Sequence, residues 1–209
     1  MNPYGYVGLS PYVWRDPLGE ERIIIIMEGL NSHLAEDAWR EYMKDFGTVE
    51  VFEQDQVNEA VEYAKEKAAE SNEDGEGNTI IILGYSNGGR AAVEAAKQLG
   101  KECVQVDLVV TVDPVPKWNE APWSLFFPGL ANPRLLYVPG NVGRWVNYYQ
   151  RDDVIIRGNK VKGAENNRIR KERSDAHTRM PYRRDVNDAI SDAVEGVPEQ
   201  RESNGGCCE

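Results

Sequence analysis

Apolar and polar positions fall into blocks along this chain, and the blocks differ in period. Arg22 to Met27 holds four consecutive isoleucines, a continuous run of the kind that a strand shows when both its faces are covered. Ala35, Ala38, Trp39, Tyr42, Met43 and Phe46 then recur at helical spacing. Thr48 to Phe52 predicts a second strand, and Val57, Ala60, Val61, Ala64 and Ala68 mark one face of a second helix. The run Thr79-Ile80-Ile81-Ile82-Leu83 predicts a third strand. The alanine-rich stretch Arg90 to Leu99 predicts a helix that stops at Gly100. Val106 to Val112, apolar apart from Asp107 and Thr111, predicts a fourth strand, and Arg144 to Tyr149 a fifth. Val154 to Ala164 predicts a short hairpin or strand pair around Gly158-Asn159. Val186, Ala189, Ile190, Ala193 and Val194 line one side of a last helix, Arg184 to Val194.

Strands that alternate with helices imply the α/β class: a mainly parallel sheet of about six strands with helices on both faces. Ligands in such sheets bind at the C-terminal ends of the strands. A chain of 209 residues is long enough for one domain with a sizeable core. Residues 1–21, rich in Tyr, Pro and Gly, are expected to form an arm or hairpin, 22–196 the α/β domain, and 197–209 a polar, disordered tail. The acidic stretch Glu70 to Gly77 reads as an exposed connection.

Charge narrows the partners. The formal net charge of −11 should repel nucleic acid and anionic membrane surfaces. No run approaches the length of a membrane span, and the N-terminus lacks a basic start and an apolar signal core. A cytoplasmic protein is therefore expected, or one exported by another route. Of the three cysteines, Cys103 precedes an apolar strand and is expected to be buried, while Cys207 and Cys208 lie in the polar tail. Neither placement suggests a disulfide framework or a zinc site, and Gly206 in the fourth position from the end rules out a C-a-a-X box. With two distant histidines and no H-E-x-x-H, no metal and no cofactor is expected. Nothing in the pattern sets an oligomeric state.

The chemistry centres on Gly84-Tyr85-Ser86-Asn87-Gly88-Gly89, which joins the third strand to the third helix. A G-x-S-x-G in that setting has the form of a nucleophile elbow, a sharp turn that lifts the serine above the sheet. Gly84 and Gly88 leave room for the turn, and Gly89 lets the helix approach a neighbouring strand. A plain strand-to-helix turn with a solvent-facing serine is the bland alternative. A serine nucleophile needs a general base, and the base needs an orienting group. His177 precedes the last helix, in a loop able to hang over the sheet. His33, which opens the first helix, better suits packing or hydrogen bonding there. Asp113 ends a strand before Pro114, on the same side of the sheet as Ser86, and is the favoured acid. A turn-capping role is its ordinary alternative. Asp152 and Asp153, after the next strand, are the other acid candidates. Asp107 opens its strand and should face the far end, and Asp175 stands too close in sequence to His177 for good geometry. Backbone N–H groups of Asn87 and Leu30 are the candidate oxyanion donors, with Gly29 supplying the turn before Leu30.

The order Ser86, Asp113, His177, with the elbow and the glycine loop, resembles the α/β-hydrolase superfamily over residues 22–195. Thr111-Val112-Asp113-Pro114 looks like the lipases whose acid follows the strand after the elbow helix. In most of the superfamily the acid comes one strand later, where Asp152 and Asp153 stand. The usual His-Gly of the oxyanion loop is Glu28-Gly29 here, and the chain is short for an elaborate cap domain. The resemblance implies a small esterase or lipase-like serine hydrolase acting on an ester or other acyl substrate. Thioester or amide cleavage is open to the same machinery. Trp118, Trp123, Phe126 and Phe127, in the long stretch Pro114 to Gly143, are expected to wall an acyl pocket, form a lid, or simply cover the sheet. The competing hypothesis is a catalytically inactive binding protein on the same fold, which a buried Ser86 or a distant His177 would favour.

Overall fold

The computed structural model describes residues 21–30, 33–70, 77–115, 136–153, 156–170 and 176–197. Residues 1–20 of the predicted arm (1–21), the tail beyond Val197 with its cysteine pair, Asp175, and Trp118, Trp123, Phe126 and Phe127 lie outside the described residues.

Six strands form one sheet: β1 (Arg22–Met27), β2 (Thr48–Phe52), β3 (Thr79–Tyr85), β4 (Val106–Val112), β5 (Val142–Tyr149) and β6 (Glu165–Arg168). Their order is β2-β1-β3-β4-β5-β6, and every adjacent pair is parallel. The helices are α1 (Leu34–Met43), α2 (Val57–Ala69), α3 (Asn87–Lys101), α4 (Ala176–Arg179) and α5 (Arg184–Glu195).

The isoleucine run of β1 explains its central place. Ile23, Ile25 and Met27 pack with α2 and α3 on one face, while Ile24 and Ile26 pack with α1 and α5 on the other. All five are fully buried. Such two-sided burial contributes roughly 1.5–3 kcal/mol for each side chain. Gly88 lets α3 start directly against β1, since a Cβ there would stand 2.0 Å from the Met27 carbonyl oxygen. Among the described residues, no helix is long and apolar enough to cross a membrane.

Four expectations need correction. Val154 to Ala164 forms no hairpin: its described part is irregular, with one isolated bridge from Lys162 to Tyr137. The strand lies just beyond, in the polar β6, which pairs in parallel with β5. Helix α3 runs from Asn87 through Gly100 to Lys101, and the Asn141 side chain packs on Gly100 and bonds the Ala96 carbonyl. Cys103 is exposed, in the turn after α3 with φ +58°, outside the cover of the sheet. Val197, one residue past the expected end of the domain, is buried against the α1–α5 face.

Candidate active site

Because the strands are parallel, their C-terminal ends share one edge. The register sets Met27 beside Gly84, Tyr85 beside Val112, and Val112 beside Tyr148. The residues that follow these strands, Glu28, Ser86, Asp113 and Gln150, therefore gather at one place. Asp107, at the start of β4, faces the opposite end, where its carboxylate accepts the Ile80 N–H.

Three non-glycine residues have positive φ among those described: Ser86 (+56°), Cys103 (+58°) and Asp113 (+50°). Two of the three stand at this edge. Ser86 combines that φ with ψ −120°, a sparsely populated conformation that costs on the order of 1–3 kcal/mol. Hydrogen bonds hold the turn: Ser86 N–H donates to the Val112 carbonyl at 3.0 Å, and Ser86 C=O accepts from Gly89 and Val115.

The structure brings three of the predicted residues into one hydrogen-bonded chain. Ser86 Oγ lies 2.9 Å from His177 Nε2, and His177 Nδ1 lies 2.5 Å from Asp113 Oδ2. A carboxylate at Nδ1 fixes the ring proton there, which leaves Nε2 to accept from the serine hydroxyl. Asp113 is fully buried, His177 is 4% exposed and Ser86 7%.

The other acid candidates have different partners. Asp152 pairs with Arg168 at 3.0 Å. Asp153 is buried, and its Oδ2 accepts the backbone N–H of His177 at 3.1 Å, so it holds the chain that carries the imidazole. His33 is exposed beside Glu36 and Glu53, away from Ser86 and neither packed nor bonded as a helix cap. Among the described residues, neither the Asn87 nor the Leu30 amide N–H donates to another group, whereas Gly29 N–H is taken by Glu28. The Asn87 side chain is buried and its Oδ1 has no hydrogen-bond partner among the described residues.

Three contributors were not foreseen as site residues. Tyr85 stacks on the His177 ring, with centroids 5.1 Å apart, and its hydroxyl donates to the His177 carbonyl at 2.9 Å. Burial, and then the nearby Asp113 carboxylate, push the Tyr85 phenol well up, so it remains a donor. Glu28, directly after β1, is fully buried and accepts from the backbone N–H groups of Gly29, Ala35 and Glu36. Burial raises its carboxyl above the ordinary glutamate range, against the lowering effect of those amides. Gln150, the third, bonds Asp113 through its side chain and its backbone N–H. Tyr85 sits inside the motif and Gln150 two residues before the alternative acids, so position was the available signal for both.

No family model and no curated protein matches this chain. Among solved structures it is similar to the esterase domain of a Rhodothermus marinus protein, with a TM-score of 0.51 at 11% identity. The match covers 89% of this chain and 90% of that one. At that identity the likeness shows a shared fold.

Proposed function

We propose that this chain is a serine hydrolase that cleaves carboxylic esters through an acyl-enzyme. The observation that carries the reading is the hydrogen-bonded chain from Ser86 Oγ through His177 to Asp113. In this mechanism Ser86 Oγ attacks the ester carbonyl while His177 Nε2 takes its proton. The amides of Asn87 and Leu30 stabilise the oxyanion that forms. The tetrahedral intermediate collapses, the C–O bond to the alcohol breaks, and His177 returns the proton to the departing alkoxide. Water, deprotonated by His177, then attacks the acyl group and releases the acid and Ser86. Asp113 orients the imidazole and balances its charge. The aromatic stretch Trp118 to Phe127 is assigned the acyl group on its sequence alone. Thioesters and amides are substrates that the same groups can process.

Support comes from a fold shared with an esterase domain, and from amides at the two positions assigned to the oxyanion that donate to no group among the described residues. One observation favours a second reading, a binding module without catalysis: Ser86 is only 7% exposed. A fluorophosphonate probe separates the two. The hydrolase reading expects the wild type to label, and Ser86→Ala and His177→Ala to stay folded and unlabelled. Ester turnover in Ser86→Ala should fall by about 10⁴-fold or more. A folded wild type that neither labels nor turns over esters would put the binding module ahead.

A further inference from the structure

Gln150, the first residue past β5, is fully buried and uses all the hydrogen-bonding capacity of its carboxamide. Its Nε2 donates to Asp113 Oδ2 at 2.8 Å and to the Ile156 carbonyl at 2.7 Å. Its Oε1 accepts the backbone N–H groups of Asp152 and Asp153, each at 2.8 Å. A flipped amide would set NH₂ against two N–H groups and oxygen against a carboxylate, so the network fixes the orientation. The backbone N–H of Gln150 also donates to Asp113 Oδ1 at 3.0 Å. Gly158 closes over the same oxygen: a Cβ there would fall 1.7 Å from Asp113 Oδ1.

These bonds form a closed circuit. From the His177 ring it runs to Asp113 Oδ2, across the Gln150 carboxamide to the Asp153 amide, and from Asp153 Oδ2 back to the His177 backbone N–H. One side chain thus sets both the carboxylate that the imidazole binds and the carboxylate that holds the imidazole's own peptide. We infer that Gln150 is the positioning residue of this site, locking the Asp113–His177 pair in register with Ser86. The inference rests on the hydrolase reading for its catalytic consequence and on the circuit alone for its structural one.

The test uses the full chain with Gln150→Met, of similar length but without the amide, and Gln150→Glu, of the same shape. Proton NMR reads the far-downfield His177 Nδ1–H signal. With two histidines in the chain, a His33→Gln background assigns it. In Gln150→Met this signal should shift or vanish, and kcat should fall by roughly 10²-fold with KM little changed. In Gln150→Glu the introduced carboxyl donates to Asp113 only while protonated. Its kcat relative to wild type should therefore rise as pH is lowered, a recovery that simple loss of packing would not give. If Gln150→Met does not fold, the Gln150→Glu profile decides alone. A folded Gln150→Met with wild-type kcat and an unmoved Nδ1–H signal would overturn the inference, as would a Gln150→Glu ratio flat with pH. The NMR signal needs no turnover. It judges the circuit even where an unreactive wild type has already defeated the hydrolase reading.

Discussion

Tyr85 shows how much one side chain can do at this edge, because it supports His177 by ring stacking and by a hydrogen bond to its carbonyl. Tyr85→Phe keeps the ring and strips the buried carbonyl of its donor, at a cost of about 1–3 kcal/mol. For a chain of this size each kcal/mol lowers the melting temperature by about 2–4 °C. Tyr85→Ala also loses the packed ring, for a total nearer 3–5 kcal/mol. Thermal melts of the three proteins should rank wild type, Phe, Ala. Under the hydrolase reading ester turnover should follow the same order, and an unchanged Phe variant would show that the hydroxyl contributes nothing. Ser86, Asp113 and His177 were legible beforehand for particular reasons: a turn motif, a strand end and a choice of two histidines. Tyr85 and Gln150 were not, because each acts through a bond to a residue distant in the chain and only its place beside candidate residues hints at it. Glu28 was not, because its bonds to nearby amides depend on how the loop before α1 folds back.

At the scale of the element, one carboxyl adds a polar tie between the end of β1 and α1 to the apolar packing between them. Glu28 gathers the N–H groups of Ala35 and Glu36, in the first turn of α1, which has no capping bond from its own N-cap residue, His33. Its raised carboxyl means that the folded state binds a proton more tightly than the unfolded one. That stabilising contribution is complete below the ordinary value of 4.5 and is lost as pH climbs through the higher native value. Urea midpoints across this range should show wild type losing ground against Glu28→Gln as pH rises. Wild type gaining ground on Glu28→Gln as pH rises would mean that the three amides outweigh burial. Element type was legible wherever burial imposed a pattern, as in β1, β3 and β4. It failed at β6, whose Glu-Asn-Asn-Arg sequence has no apolar face. Instead Asn166 bonds Asn147 and the backbone of Val161 and Ala164. It failed also at α4, four residues long and too short to show a period.

Over the whole molecule, the net charge of −11 surrounds a candidate site whose central groups are themselves acidic or neutral. A field of that sign disfavours the approach of anionic substrates and is screened within about 10 Å at 0.1 M salt. Under the hydrolase reading, kcat/KM for a neutral aryl ester should exceed that for a carboxylate-bearing analogue, and added salt should narrow the gap. A ratio insensitive to salt would place the discrimination in local contacts. The left-handed backbone at Ser86 and Asp113 has a consequence for any attempt to improve this protein. Glycine relieves such a conformation without steric cost. Under the hydrolase reading, a library sorted for heat resistance alone would drift toward glycine at Ser86 and lose the proposed nucleophile, whereas at Asp113 the buried bonds from Gln150 and His177 oppose the same change. Selection for robustness and selection for chemistry would then pull apart at one strand end, so only a screen that scores both would keep the serine that the turn is strained to hold.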